Sequence, residues 1–315
     1  MTLNRVLVVY KKSRYQLYVK EHQIASISEA IARGDALAQR FLSSHQALEQ
    51  TLAAIRNILQ GFGAQVVERW RAHMRTSNDF DLVISVGGDG TLLDTSYRMS
   101  GGTPLLGINS NPQSSVGALL CGTADRLPDL LERLLSGTSK PKLVTRLQVR
   151  LPDGTVIGPC LNDLLYAHAS PAEMSRFQYR IVASDEAERV DLGAEPEQHN
   201  SGLWVSTAAG STAAIYSAGG SIMPLGSKRL QYRIREPYYP RNGQDNSDQS
   251  RGGMLERGQA LVLISRLRRS KIWVDGPHRR VALGYGDRLI IEHSPFPLRL
   301  VFDSDRRGLP TRPTT

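Results

Sequence analysis

Three glycines fall within four positions at Gly87-Gly88-Asp89-Gly90-Thr91, directly after the apolar run 81–86 (DLVISV). Open α/β sheets present ligands at the C-terminal ends of such strands. Residues without side chains there let backbone N–H groups approach a phosphate, helped by the positive end of the helix that follows. A carboxylate in the same loop repels phosphate. Asp89 is therefore useful if it accepts a proton from an attacking hydroxyl or holds a hydrated Mg²⁺. The segment has neither the Lys-Ser/Thr ending of a P-loop nor the GxGxxG spacing of a dinucleotide fold. A tight strand-to-helix turn capped by Asp89 is the plainer alternative. Asp94, a turn later, reads as a carboxylate answering the helix dipole. His168, His199, His278 and His293 stand alone and read as surface or satisfied histidines.

The elements that must position this loop follow from hydrophobic period. Residues 5–10 (RVLVVY) form a short β-branched run, as in a buried parallel strand. From 28 to 60, Leu37, Phe41, Leu48, Leu52, Ile55 and Leu59 recur at separations of 4, 7, 4, 3 and 4, which predicts one long helix ended by Gly61 and Gly63. Strands are predicted at 65–70, 81–86 and 105–108, with helices from the glycine loop to Met99 and over 127–135, closed by Gly137. This alternation is a doubly wound α/β pattern. Beyond Lys140 the period changes to two, with Phe177, Tyr179 and Ile181 alternating with polar residues and Pro152-Asp153-Gly154 marking a hairpin. Strands are predicted at 230–235, 260–265, 271–274, 288–293 and 298–302, with one helix over 212–218. The polar segment 237–253 reads as a loop and the tail from 306 as frayed. The expected organisation is an α/β phosphate-binding domain over 1–138, a β-rich domain over 139–303 and a tail over 304–315.

The chain has 315 residues, 40% hydrophobic and 22% charged, which suits a globular protein with real cores. Cys121 and Cys160 lack the spacing of a zinc site or a disulfide framework. No apolar run reaches membrane-spanning length and the N-terminus turns charged too early for a signal peptide, so a cytoplasmic protein without a membrane partner is expected. The net charge of +9 admits phosphorylated ligands as readily as nucleic acid. Its densest patch, 266–271 (RLRRSK), reads as a solvated strand edge or turn, and no nucleic-acid partner is expected.

The glycine loop, the pair Asn162-Asp163, the stretch 201–220 (SGLWVSTAAGSTAAIYSAGG) and Asp275-Gly276 together resemble, in order and spacing, the NAD kinase family over roughly residues 80–303. GGDGT alone is shared with diacylglycerol and sphingosine kinases, so the stretch from Gly210-Ser211-Thr212 to Ser217-Ala218-Gly219-Gly220 discriminates. The resemblance implies a Rossmann-like N-terminal domain and a β-rich C-terminal domain of the NAD kinase and diacylglycerol kinase-like superfamily. It implies transfer of a phosphoryl group from ATP, or in some members polyphosphate, to the 2′-hydroxyl of the adenosine ribose of NAD or NADH, with Mg²⁺ or another divalent cation carried on the phosphates and no dedicated metal site. Asp89 falls on the family's proton acceptor, and Gly88, Gly90 and Thr91 on its phosphate loop. Asn162 and Asp163 fall on the pair that grips NAD, where an amide beside a carboxylate suits an adenine edge and a ribose diol. Ala209, Gly210, Ser211 and Thr212 fall on the adenosine side, where a capped helix start is an equally good reading of Ser211 or Thr212. A homo-oligomer is expected.

The sequence departs from the family pattern at identifiable positions. Ala208-Ala209 replace Pro-Thr, Ala214 replaces a Tyr, Asp163 is one methylene shorter than the common Glu, and Ser201 replaces an Asp found in many bacterial members. The stretch 109–117 (NSNPQSSVG) is similar to the longer, polar version of the mitochondrial branch. With Ser201 uncharged, comparable use of NAD and NADH is expected. Trp204 reads as a core side chain, with stacking on adenine as the alternative. A lipid kinase of the same superfamily and a non-catalytic nucleotide sensor are the rival functions. The retained Asp89 argues against the sensor.

Overall fold

The computed structural model describes residues 3–75, 79–113, 117–238 and 251–302. Residues 239–250 of the polar segment, 114–116 of the 109–117 stretch and the tail from 303 lie outside the described residues. The chain divides into two compact units, one formed by Met1–Lys142 with Arg299–Thr315 and the other by Leu143–Leu298.

The first unit is built on parallel strands. β1 (Arg5–Tyr10) buries Val6 to Val9 without interruption, as a strand covered on both faces must. After it come a π-helical stretch at Gln16–Glu21, then α1 (Ala25–Ala32) and α2 (Ala36–Gly61). The single helix expected over 28–60 is thus two. The chain turns at Arg33 and Gly34, and Asp35 restarts the helix by accepting the N–H groups of Leu37 and Ala38, both at 2.9 Å. Leu37 points outward at 68% exposed, and the buried face runs instead through Ala38, His45, Leu48, Leu52, Ile55 and Leu59. The unit continues with β2 (Gln65–Trp70), β3 (Leu82–Val86), α3 (Asp89–Tyr97), β4 (Leu105–Ile108), α4 (Leu127–Leu135) and β5 (Lys142–Val144). α2 and α4 pack on β1, β3 and β4 in one apolar core that includes Val6, Ile55, Ile84, Leu106 and Leu130.

The second unit consists of two six-stranded antiparallel sheets. Its strands are β6 (Leu147–Arg150), β7 (Val156–Cys160), β8 (Asp163–His168), β9 (Ser175–Ala183), β10 (Gln198–Asn200), β11 (Gly202–Ser206), β12 (Leu230–Arg235), β13 (Gly252–Leu255), β14 (Gln259–Ser265), β15 (Ser270–Val274), β16 (Arg279–Leu283) and β17 (Arg288–His293). One sheet runs β10-β9-β14-β17-β6-β7 and the other β13-β12-β11-β8-β15-β16. Edge-to-face pairs Tyr166–Phe177 and Tyr179–Tyr232 join their inner faces, with ring centroids 5.4 and 5.8 Å apart. The helix expected over 212–218 is a 3-10 turn at Gly210–Thr212 followed by the four-residue α5 (Ala214–Ser217), because Ala213 leaves helical geometry.

The last strand, β18 (Leu298–Leu300), corrects the expected grouping of residues up to 303 with the β-rich half. It pairs in parallel with β4 and extends the first unit's sheet, whose order is β2-β1-β3-β4-β18-β5. Its apolar alternation fits either sheet, so sequence could not assign it. Asp35→Ala should lower stability by about 0.5–2 kcal/mol in a urea titration. The neighbouring Leu37→Ala should change it by less than about 0.5 kcal/mol. An unchanged midpoint for Asp35→Ala would contradict the cap.

Candidate active site

In the first unit, β1 lies between β2 and β3, so the strand order reverses at β1/β3, the switch point where doubly wound sheets bind ligands. The glycine loop leaves β3 at this point. Gly87 is Gly for want of space: a Cβ there would lie 2.5 Å from Thr91 Oγ1. Thr91 is buried, and its hydroxyl has no hydrogen-bond partner among the described residues. Gly88 begins α3 with no side chain to cap the helix, which leaves its first N–H groups available to an anion. Gly90 is exposed, with open space where a Cβ would be. Asp89 does not cap its own helix. Its two carboxylate oxygens accept the backbone N–H groups of Ala118 and Leu119, each at 3.0 Å, so it fastens the 117–120 turn to the loop. Each oxygen keeps a second lone pair.

A row of cations stands beside this loop, and sequence reading had not singled it out. Tyr10 is in register with Trp70 on one side and Val86 on the other, and Val86 with Ile108. The next residues, Arg71, Lys11, Gly87 and Asn109, therefore form a row along the C-terminal edge. Partial desolvation, then the charges of Arg71 and Arg14, lower the Lys11 ammonium from its ordinary range. Asp94 lies 3.9 Å from Arg71 and 4.0 Å from Arg98, so it serves ion pairs as well as the helix dipole. The available signal was a basic residue one position past each of two predicted strands.

In the second unit, Asn162 and Asp163 stand where β7 turns into β8, and Asp275 holds that corner. Asp275 has a positive φ of 48°, which turns its carboxylate back over the corner. There it accepts the N–H groups of Leu161 at 2.9 Å and Asn162 at 2.7 Å, and the Cys160 thiol at 3.0 Å. Burial raises the Asp275 carboxyl and pushes the Cys160 thiol well up. The fully buried Arg146 guanidinium supplies positive charge and is itself lowered by burial to about 10. Burial first, and the Asp275 carboxylate second, push Asp163 up to about 7. The Asp163 carboxylate is 7% exposed, and among the described residues it accepts one long hydrogen bond, from Asn162 Nδ2 at 3.4 Å.

The loop after β11 lies directly on this corner. A Cβ at Gly210 would sit 2.1 Å from the Asn162 carbonyl oxygen, so only glycine fits. Thr207 donates to the Leu161 carbonyl and accepts from the N–H groups of Ala209 and Gly210, and its own N–H bonds the Asn162 carbonyl at 3.0 Å. Ser211 is buried and turned inward, bonding the Ala208 carbonyl at 2.8 Å and accepting Met223 N–H at 2.9 Å. Its side chain is a structural pin. Ala209 is also buried, and Thr212 is half-buried.

Asn162, Asp163, Ala209, Gly210, Ser211 and Thr212 are thus brought together, while Ser201 is not. Ser201 precedes β11 and bonds the Arg235 backbone, about 16 Å along the strand from Ser206. Trp204 is half-buried and joins neither the core nor this corner. It faces outward between Leu165 and Arg233, its ring centroid 6.0 Å from the Arg235 guanidinium.

A raised Asp163 has a consequence for stability. The folded state keeps its proton to about pH 7, whereas an unfolded Asp releases it near about pH 4, so stability falls as pH rises between those values. Asp163→Asn should therefore be more stable than wild type at pH 8, by about 1–4 kcal/mol, and equal to it below about pH 4. A gain that does not vary with pH would contradict the assignment.

A family model described as the ATP-NAD kinase N-terminal domain matches residues 16–137. The chain is 34% identical over 262 residues to a probable NADH kinase of Oryza sativa subsp. japonica, covering 77% of this chain and 78% of that one. Its fold is shared with an NAD kinase from Archaeoglobus fulgidus in complex with ATP, at a TM-score of 0.62 and 19% identity over 96% of this chain and 95% of that one. It is also shared with a yeast NADH kinase complexed with NADH, at 0.68 and 16% over 97% and 85%. With one such relative matched across more than three quarters of both sequences, the chain belongs to the NAD kinase family.

Proposed function

We propose that this protein transfers the terminal phosphoryl group of ATP to the 2′-hydroxyl of the adenosine ribose of NAD or NADH, forming NADP or NADPH. The observation that carries the acceptor side is Asp163. A nearly buried carboxylate with one weak partner among the described residues, next to the Asn162 side-chain amide and beside a glycine held against the Asn162 backbone carbonyl, has acceptor capacity for a sugar diol and none to offer an acyl chain. Asn162 reads the adenine edge. Gly210 and Thr212 line the adenosine side, while Ser211 acts by holding the loop's shape. Relatives of the same fold bind a donor and an acceptor of these kinds, ATP in the Archaeoglobus protein and NADH in the yeast one.

On the donor side, the uncapped start of α3 with Gly88 and Gly90 offers backbone N–H groups to the phosphates, Thr91 adds a hydroxyl unpartnered among the described residues, and Lys11 and Arg71 neutralise charge. A divalent cation such as Mg²⁺ enters with the donor phosphates as part of the substrate and needs no protein cage of its own. Asp89 accepts the proton of the attacking hydroxyl through an oxygen lone pair that the 117–120 turn leaves unused. Positioning and charge neutralisation supply the rest of the rate, as phosphoryl transfer requires little covalent work from the protein.

Asp89→Asn should lower turnover by roughly 10²–10⁴-fold. It should also cost stability, about 1–3 kcal/mol, because the amide nitrogen that replaces one carboxylate oxygen is a donor and leaves the Ala118 or Leu119 N–H without its acceptor. Wild-type turnover in this variant would remove the proton-acceptor role. Asn162→Ala should weaken NAD binding by about 1–3 kcal/mol, and diacylglycerol should not compete. Competition by the lipid, with no measurable NAD binding, would favour a lipid acceptor.

A further inference from the structure

The basic run that links β14 to β15 does not lie flat on the surface. Residues 266–269 wall a concavity of about 440 Å³ in the second unit, with Arg176 and Glu173 among the residues facing them. Two crossings between the sheets meet here: β8 passes to β9, and β14 passes to β15. Arg266 N–H bonds the Arg176 carbonyl at 3.1 Å and Ala169 N–H bonds the Arg269 carbonyl at 2.9 Å. Beneath them Tyr166, Ser265 and Ser270 form a buried chain of hydroxyls with 2.9 Å contacts. The walls are therefore fixed by backbone and core, not by the arginines themselves.

Four arginines face one glutamate across this small space. Arg266 is oriented by Nε–H donation to Gln178 Oε1 at 2.7 Å and by the Tyr285 ring, 5.5 Å from its guanidinium carbon. Arg176 has Glu197 at 3.9 Å in an exposed and weak pair. The side chains of Arg268 and Arg269 are exposed and have neither a carboxylate nor a hydrogen-bond partner among the described residues. His168 Nδ1 lies 2.9 Å from Ser170 N and 3.2 Å from the Ser170 carbonyl oxygen, and its Nε2 is 3.6 Å from Glu173. Glu173, the one acidic residue among those lining the concavity, thus lies against the histidine. Guanidinium groups gathered with so few anions repel one another, and their forked donors match phosphate oxygens two at a time. Met174 and Leu267 give the wall an apolar portion.

We infer that this concavity binds a small ligand carrying two or more linked phosphates. Its volume falls in the range of small-molecule sites, about 300–1,000 Å³. The cations converge on one hollow and do not track along a groove, which favours a compact polyanion over a nucleic-acid strand. The site is separate from the Asn162-Asp163 corner: His168 and Asp163 are opposite ends of β8, about 16 Å apart. It stands or falls without reference to the kinase reading.

The test is residue-resolved footprinting of the full chain. Phenylglyoxal modification of Arg268 and Arg269, followed by peptide mass spectrometry, should slow about tenfold under saturating inorganic tripolyphosphate or ADP. Protection by both identifies the phosphate chain as the recognised group, and protection by ADP alone identifies a nucleoside polyphosphate. Equal protection by inorganic phosphate would mean an adventitious ion only and would overturn the inference. Absence of protection would do the same, as would protection by an RNA oligonucleotide in place of the small ligands. Because neither side chain is paired, the R268Q/R269Q variant should keep the wild-type unfolding midpoint and lose one class of bound tripolyphosphate in calorimetry. Retention of every class would overturn the site.

Discussion

A carboxylate taken out of water costs several kcal/mol unless its lone pairs are filled, and the way Asp275 fills its own fixes the corner on which Asn162 and Asp163 stand. Two backbone N–H groups and a thiol converge on it, and the guanidinium groups of Arg279 and the buried Arg146 contribute opposing charge. Once the 160–162 backbone is pinned, the Asn162 carbonyl has a set position, and the loop after β11 can lie on it only through a residue without a Cβ. Thr207 and Ser211 then close the loop on itself. The same buried acid that orders the corner also keeps Asp163 close to its titration point, so structural and binding roles are linked through one electrostatic environment.

The first unit meets a different constraint. Its glycine loop must admit a polyanion while holding a carboxylate, and it does so by tying both oxygens of Asp89 to backbone N–H groups. Those bonds spread the carboxylate charge and fix its direction, and Lys11 and Arg71 offset it from the neighbouring strand ends. Proton acceptor and phosphate loop can then coexist without the carboxylate turning toward the phosphates.

Much of this was legible in the sequence because each motif coincides with a period change or a strand end. The glycine loop follows an unbroken apolar run, so its position at the C-terminal edge of a parallel strand followed directly. Asn162, Asp163 and Gly210 could be grouped by resemblance, but their mutual contact depends on Asp275, over a hundred residues from the Asn162-Asp163 pair, and no local pattern encodes it. The two readings of Ser211 could not be separated for a related reason: a hydroxyl that faces a ligand and one that faces a buried carbonyl look alike in sequence. Leu298–Leu300 alternates as any strand does, so only the register with β4 assigns it to the first unit's sheet. Lys11 and Arg71 each follow a strand, and only the registers of β1, β2 and β3 align them. The break between α1 and α2 is made by Gly34, at a positive φ of 78°, and by Asp35, which caps the new helix, and the apolar spacing begins only after it, at Leu37.

The central claim is the bond that is made. Incubation of the full chain with ATP labelled in its γ-phosphoryl group, together with NAD and Mg²⁺, should move the label to a product that co-elutes with NADP and releases the label when the 2′-phosphate is cleaved. Label that remains in ATP, passes to water regardless of NAD, or appears in diacylglycerol when that lipid is offered instead would contradict the account.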